Sequence, residues 1–392
     1  MKIKQAVILA GGQGTRLRPL TFDTPKPLIK INGIPFLEYL LTLLKENGIK
    51  EVVILVGYLG EMVENYFGDG RKFGLKLKYS YAPVEYETGS RLVKAMNLLD
   101  ERFLLLYCDN YWPLNLKLLI KYYEKKGKDA LVTVYANKDN YTKNNMLVDK
   151  DGVVAIYDKT RKTTGLNGVD IGFFIFKKKL FKNLPVNNFS FEKVLLQRLV
   201  KNRQLSGFLS LHKYYGLSNL ERIPDIKKFL RPQRIVILDR DGVINKKPSK
   251  GDYVKNWKEF KLLKGAVEGL KLLTQKGYQI FIATNQAGIG RRFMTKSALN
   301  NIHRNMLNNF KQNGIKIKQI YYCPHAWDVG CDCRKPKPGM LFEAASEHNF
   351  DLTKAIFIGD DARDRLTAKT AGCTFVRMKQ DGNLLECVKK IT

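Results

Sequence analysis

"RIVILDRDGVIN", residues 234–245, runs through four apolar residues, Ile235 to Leu238, and then breaks into Asp239, Arg240, Asp241 and Gly242. An unbroken apolar run of strand length is expected of a strand buried on both faces of a parallel sheet. The pattern recurs twice. "YQIFIATNQAG" (278–288) ends its apolar run in Thr284, Asn285 and Gln286, and "KAIFIGDD" (354–361) ends in Asp360 and Asp361. Ligands of open parallel sheets bind beyond the carboxyl ends of the strands, so the three polar sets can meet at one site. The fold class this implies is α/β.

The residues at those strand ends suit phosphate chemistry. Of Asp239 and Asp241, one can attack phosphorus and form an aspartyl-phosphate. The other can protonate the leaving oxygen and then activate water. Asp360 would complete an oxygen-ligand site for Mg2+. Thr284 can donate a hydrogen bond to a phosphoryl oxygen, and a lysine would offset the charge of the transition state.

A second set of strands lies upstream. "AVILA" (6–10), "EVVILVGY" (51–58), "LKLKYSY" (75–81) and "FLLLYCD" (103–109) read as strands, and "PFLEYLLTLLKENG" (35–48) as a helix closed by glycine. Between the two sets, "SNLERIPDIKKFLRPQR" (218–234) carries two prolines and many charges. The expected organisation is a domain over 1–222, a linker over 223–233 and a domain over 234–392. Each domain is Rossmann-like, three-layered, and built on a mostly parallel sheet.

"CPHAWDVGCDCRKPKPGM" (323–340) gathers three of the six cysteines and one of the four histidines. Cys323, His325, Cys331 and Cys333 offer three thiolates and an imidazole, which suits a closed tetrahedral zinc site. Four protein ligands leave no open position, so the zinc would be structural. It would tie down a loop that leads straight into Arg334 and Lys335, with Pro336 and Pro338 stiffening the segment. Cys108, Cys373 and Cys387 stand alone in apolar surroundings and read as reduced thiols of a cytoplasmic protein. His212, His303 and His348 are assigned no role.

With these motifs in order, residues 234–380 resemble the haloacid dehalogenase superfamily of phosphohydrolases. The likeness is greatest to its small capless branch of heptose-bisphosphate and histidinol-phosphate phosphatases. The resemblance implies Asp239 as nucleophile, Asp241 as acid and base, Thr284 as phosphate ligand and Lys335 as the catalytic lysine. It implies Mg2+ held by Asp239, Asp360 and the backbone carbonyl of Asp241. Asn285, Gln286, Arg291 and Arg334 become the substrate contacts, and Asp364 helps hold the loop. Asp361 stands where these relatives commonly carry a basic residue.

Upstream, "AVILAGGQGTRLRPLTFDTPKPL" (6–28) sets a glycine-rich turn directly after the first strand. Backbone amides at Gly11, Gly12 and Gly14 can approach a nucleotide, with Thr15 beside them and Arg16 and Lys26 supplying positive charge. Residues 1–222 resemble the sugar-1-phosphate nucleotidyltransferases, particularly the heptose- and mannose-1-phosphate guanylyltransferases. That implies Mg2+ at Asp109, a sugar-phosphate contact from Lys159, and a nucleoside triphosphate partner, GTP by closest likeness. Tyr214 stands where the resemblance implies a second metal carboxylate, and Glu87 stands where it implies a glycine. Asp170 is a candidate to compensate.

Net charge is +31, from 68 Lys and Arg against 37 Asp and Glu, but the basic residues are spread along all 392 positions. Phosphorylated substrates account for that balance as well as nucleic acid does, and the lack of a basic stripe argues against a nucleic-acid partner. The N-terminal apolar run, Ala6 to Ala10, is too short for a secretion signal and stops at Gly-Gly. No segment is long and apolar enough to span a membrane. The expected function is hydrolysis of a heptose 1,7-bisphosphate to the 1-phosphate, followed by nucleotidyl transfer to that product. The rival readings are a histidinol-phosphate phosphatase, a phosphatase with a non-catalytic nucleotide-sugar-binding module, and a DNA-end phosphatase. The oligomeric state stays open.

Overall fold

The computed structural model describes every residue except Met1, Asn183 and Val186. The chain divides into two compact units, Met1–Leu230 and Arg231–Thr392.

The first unit is built on seven strands: β1 (Gln5–Ala10), β2 (Glu51–Val56), β3 (Lys76–Tyr81), β4 (Arg102–Tyr107), β5 (Ala130–Tyr135), β6 (Val169–Lys177) and β7 (Leu205–Ser210), in the order β7-β5-β6-β4-β1-β2-β3. Only β6 runs antiparallel to its neighbours, so the sheet is mostly parallel. Every residue of β1 is buried. Ala6, Ile8 and Ala10 enter one apolar core, and Val7 and Leu9 enter the other on the opposite face. That is the two-faced burial an uninterrupted apolar strand requires. The helix Phe36–Glu46 covers one face with Phe36, Leu37, Leu40, Leu41, Leu43 and Leu44, and Gly48 turns the chain away at φ +82°.

Residues 223–229, expected between the domains, form the helix Ile223–Phe229 in the first unit. Pro224 lies in its first turn, where a missing N–H costs no intrahelical bond. Ile226 and Phe229, three apart, are both buried, and the Phe229 ring stacks on Tyr215 at 3.9 Å.

The second unit carries an all-parallel sheet of β8 (Ile235–Leu238), β9 (Gln279–Asn285), β10 (Ile317–Cys323), β11 (Ile356–Gly359) and β12 (Thr374–Arg377), ordered β10-β9-β8-β11-β12. From β8 the chain builds outward through β9 and β10, then returns to the other side of β8 for β11 and β12. The reversal leaves a crevice beyond the ends of β8 and β11, which is where a ligand of such a sheet binds. No helix among the described residues is long and apolar enough to cross a membrane.

Candidate active sites

At that crevice the residues that end β8 and β11 face one another. Asp239 follows β8 directly, and its backbone N–H bonds the Ile358 carbonyl of β11 at 3.0 Å. Its Oδ1 accepts the Arg240 N–H at 2.7 Å and lies 2.8 Å from Lys335 Nζ. Lys335 is 3% exposed and bridges to Asp364 Oδ1 at 2.7 Å. Burial works against its charge, but Asp239 and Asp364 outweigh that and hold the ammonium above its ordinary value.

Asp239, Asp360 and Asp364 each bring a carboxylate oxygen within 4.8 Å of the others. Burial pushes Asp239 up to about 7 and also raises Asp360. Lys247 Nζ pairs with Asp360 Oδ2 at 2.6 Å, while Asp360 Oδ1 is buried with no hydrogen bond. Crowded buried carboxylates with a spare oxygen are a donor set for a hard divalent cation, and they fit Mg2+. Gly242 permits this arrangement. Its φ is +95°, and a Cβ there would come 2.7 Å from Asp360 Oδ2.

Asp241 has different surroundings. Arg240, its side chain fully buried, folds back so that Nη2 lies 2.9 and 3.0 Å from the two Asp241 oxygens. Asn245 and Gln286 donate to the same carboxylate at 2.9 and 2.8 Å. Burial opposes ionisation, but these partners prevail and hold Asp241 below its ordinary value. Behind Arg240, Nη1 meets His303 Nε2 at 3.2 Å. Burial and that guanidinium push His303 down to about 3, so it stays neutral and accepts. His303, unassigned from sequence, therefore positions the arginine that positions Asp241.

A cavity of about 820 Å³ opens over these groups, lined by Asp239, Asp241, Thr284, Asn285, Arg334 and Lys335, with Lys247 and Arg363 adding positive charge. Gln286 is turned beneath it. It is 1% exposed and spends its amide on Asp241 and Thr284. Asn285 brackets the Lys335 peptide, accepting from its N–H and donating to its carbonyl, both at 3.0 Å. Arg291 reaches Tyr253, which lines the cavity, with Nη1 3.2 Å from the phenol oxygen.

The cysteine loop closes on itself beside this cavity. Cys323 Sγ lies 3.6 Å from both His325 Nδ1 and Cys331 Sγ; Cys333 Sγ lies 3.3 Å from His325 Nδ1 and 3.5 Å from Cys331 Sγ. Tetrahedral zinc with bonds of about 2.1–2.3 Å sets its ligand atoms about 3.5–3.8 Å apart, so the donor set fits. The loop also buttresses its neighbour: the Cys323 and Pro324 carbonyls accept from Gln286 N–H and Gly290 N–H, both at 2.8 Å.

In the first unit, a cavity of about 880 Å³ brings together Gly11, Gly12, Gly14, Thr15, Arg16, Lys26, Asp109 and Lys159. Lys26 Nζ holds Asp109 Oδ2 at 2.5 Å, and Lys159 Nζ lies 3.4 Å from buried Glu192. Tyr214 lines the same cavity, packed edge-on against Tyr135 and Tyr141. Asp170 lines it too, with Oδ1 accepting from Gly172 N–H at 2.7 Å, and burial pushes its carboxyl up to about 7.

Sequence reasoning gave no role to Arg91. Its guanidinium is buried and donates to the carbonyls of Val56 and Tyr86 at 2.9 Å, Pro83 at 2.8 Å, Val84 at 3.1 Å and Gly11 at 3.3 Å. It staples the glycine turn to the 83–86 loop, and a Cβ on Gly11 would come 2.2 Å from Arg91 Nη1. Arg91→Met leaves those carbonyls without their donor. We expect nucleoside triphosphate binding to weaken about tenfold, about 1.4 kcal/mol, measured by calorimetric titration.

Comparison with known proteins places both halves. Residues 5–212 match the nucleotidyl transferase family, and residues 234–381 match the family described as polynucleotide kinase 3 phosphatase. A D-glycero-beta-D-manno-heptose-1,7-bisphosphate 7-phosphatase of Neisseria meningitidis serogroup A is 40% identical over 33% of this chain and 69% of its own length. A probable glucose-1-phosphate cytidylyltransferase of Bacillus subtilis is 32% identical over 54% of this chain and 89% of its own. The crystal structure of HddC from Yersinia pseudotuberculosis shares the fold at TM-score 0.51, with 23% identity over 57% of this chain and 98% of that one. The chain belongs to the nucleotidyl transferase family through its first unit and, through its second, to the family of heptose-bisphosphate phosphatases.

Proposed function

We propose that the chain turns a heptose 1,7-bisphosphate into a nucleotide-activated heptose in two reactions, one in each unit. The observation that carries the first is Asp239, 2.8 Å from buried Lys335, in a cavity shared with a second, separately held carboxylate, Asp241. The second rests on the cavity of the first unit, where the glycine turn, Arg16, Lys26 and Asp109 stand together. A nucleotidyl transferase fused to a phosphatase makes chemical sense when the product of one is the acceptor of the other.

In the first reaction an Asp239 oxygen bonds to the 7-phosphorus as the P–O bond to the sugar breaks. Asp241 is ionised in the free protein. The incoming phosphate raises its proton affinity, so it takes up a proton from solvent as the substrate binds and passes it to the departing sugar oxygen. As a carboxylate again, it takes a proton from water, which attacks phosphorus, frees phosphate and restores Asp239. Lys335 and Thr284 hold the phosphoryl oxygens. Asp239, Asp360 and the Asp241 backbone carbonyl would hold Mg2+, which offsets the charge of the phosphoryl group and of the clustered carboxylates. Arg334 receives the substrate, while Asn285 fixes the Lys335 peptide, Gln286 holds Asp241 and Thr284 from beneath, and Arg291 braces the wall through Tyr253.

In the second reaction an oxygen of the sugar 1-phosphate attacks the α-phosphorus of a nucleoside triphosphate, GTP on our reading, and pyrophosphate leaves. The glycine turn and Arg16 receive the triphosphate, Lys159 the sugar phosphate, and Asp109 would hold Mg2+ there. Cys323, His325, Cys331 and Cys333 would hold a structural zinc. We place the protein in the cytoplasm, serving a surface glycan such as lipopolysaccharide.

A panel measuring phosphate release tests the substrate. Heptose 1,7-bisphosphate should be hydrolysed at least tenfold more efficiently than histidinol phosphate; the reverse order would retain the phosphatase chemistry and overturn the pathway.

A further inference from the structure

The cavity over Asp239 has an aromatic rim that the phosphoryl chemistry leaves unused. Trp327 lies in the cysteine loop, between His325 and Cys331, and lines the same cavity as Asp239 while remaining 59% exposed. Phe293, 51% exposed and touched by the same arginine, makes the indole part of an exposed aromatic patch, the kind of surface that marks a contact site. It is also held still. The Arg291 guanidinium stacks 4.1 Å from its ring centroid and 4.7 Å from that of Phe293. Arg291 Nη1 reaches Tyr253 Oη at 3.2 Å, so a second ring of the cavity wall joins the brace. The loop itself is gathered by the four metal-type ligands around it.

With a cation on one face, the rest of the indole is offered to the cavity. Around it stand Lys247, Lys250, Arg334, Lys335 and Arg363. The ligand that suits this setting carries phosphate and presents a flat, weakly polar C–H face. A pyranose does so: its ring hydrogens form an apolar face, and its hydroxyls lie at the edge. Binding pockets combine such apolar platforms with a few polar groups to fix orientation.

Resting on the function proposed above, we infer that Trp327 is a sugar-stacking platform and the specificity determinant for ring-bearing phosphates over acyclic ones. Arg291 props the indole from behind. The cysteine loop then has a second use beyond aiming Lys335, because it presents Trp327 to the sugar.

The test compares Trp327→Ala, Trp327→Phe and the unaltered protein on four phosphates: heptose 1,7-bisphosphate, a hexose 6-phosphate, acyclic glycerol 3-phosphate and thymidine 3′-phosphate. KM and kcat are measured separately, with zinc content as the check on the loop. The expected result for Trp327→Ala is a rise in KM for both sugar phosphates at least tenfold greater than for glycerol phosphate. Trp327→Phe should recover most of the loss. Equal losses on cyclic and acyclic substrates, or no loss, overturn the inference. A Trp327-dependent preference for thymidine 3′-phosphate also overturns it, by assigning the platform to a base. If the unaltered protein fails on heptose bisphosphate, the functional reading falls. The comparison of hexose with glycerol phosphate then still decides the role of Trp327.

Discussion

Asp239→Asn stops phosphate release from heptose 1,7-bisphosphate, lowering it about 10³-fold or more, while pyrophosphate release from supplied heptose 1-phosphate and GTP continues. The amide fills nearly the same volume as the carboxylate, but it has no anionic oxygen to form the phosphoenzyme. Asp241 does not replace it, because Arg240, Asn245 and Gln286 hold that carboxylate in place for the acid–base step. Lys335 keeps Asp364 as a partner at 2.7 Å, so the buried lysine is not left alone and the fold survives the change. Trapping with acid and intact-mass measurement checks the same point: the unaltered protein gains one phosphoryl group on incubation with substrate, and the variant gains none. Undiminished turnover by the variant would remove Asp239 from the reaction.

Cys333→Ser is expected to have the next largest effect. Cys331, Cys333 and His325 come from a loop with no helix or strand of its own, so a zinc bound there would supply the stabilisation that regular structure supplies elsewhere. Losing one thiolate from a four-ligand site should cost several kcal/mol and lower the melting temperature of the second unit by on the order of 10 °C. Phosphatase activity should fall with it, because Lys335 follows Cys333 by two positions and Asn285 alone would fix its backbone. Calorimetric melting with metal analysis checks this. An unaltered protein that purifies without zinc, and a variant that melts at the same temperature, would make the four side chains a fortuitous cluster.

Much of this site is legible in the sequence because its signals are local. A strand buried on both faces reads as an apolar run, and residues at its carboxyl end follow immediately, as Asp239, Thr284 and Asp360 do. The four candidate zinc ligands, Cys and His, fall within eleven positions, a spacing that survives any arrangement of the rest of the chain. What is hidden depends on distant partners. His303 meets Arg240 across 63 positions, and Lys247 reaches Asp360 across 113. Arg91 reads as an ordinary helix cation until the fold surrounds it with carbonyls.

Two elements were hidden for local reasons. β10, "IKQIYYC" over Ile317–Cys323, mixes polar and apolar residues because it is an edge strand and half exposed. The helix Ile223–Phe229 is short, charged and begins with a proline, a composition shared with connectors; its stacking on Tyr215 makes it structural. Tyr214 shows the opposite case. Its departure from the expected carboxylate is visible in the sequence, and the structure gives its consequence: an aromatic ring on the cavity wall, with Asp170 lining the same cavity.

The most direct test of the two-reaction account follows phosphate and pyrophosphate in one sample of the protein supplied with heptose 1,7-bisphosphate, GTP and Mg2+. The account predicts that phosphate appears first and that pyrophosphate follows with a lag, approaching one for one. Pyrophosphate that precedes phosphate, or complete phosphate release with no pyrophosphate, would contradict it.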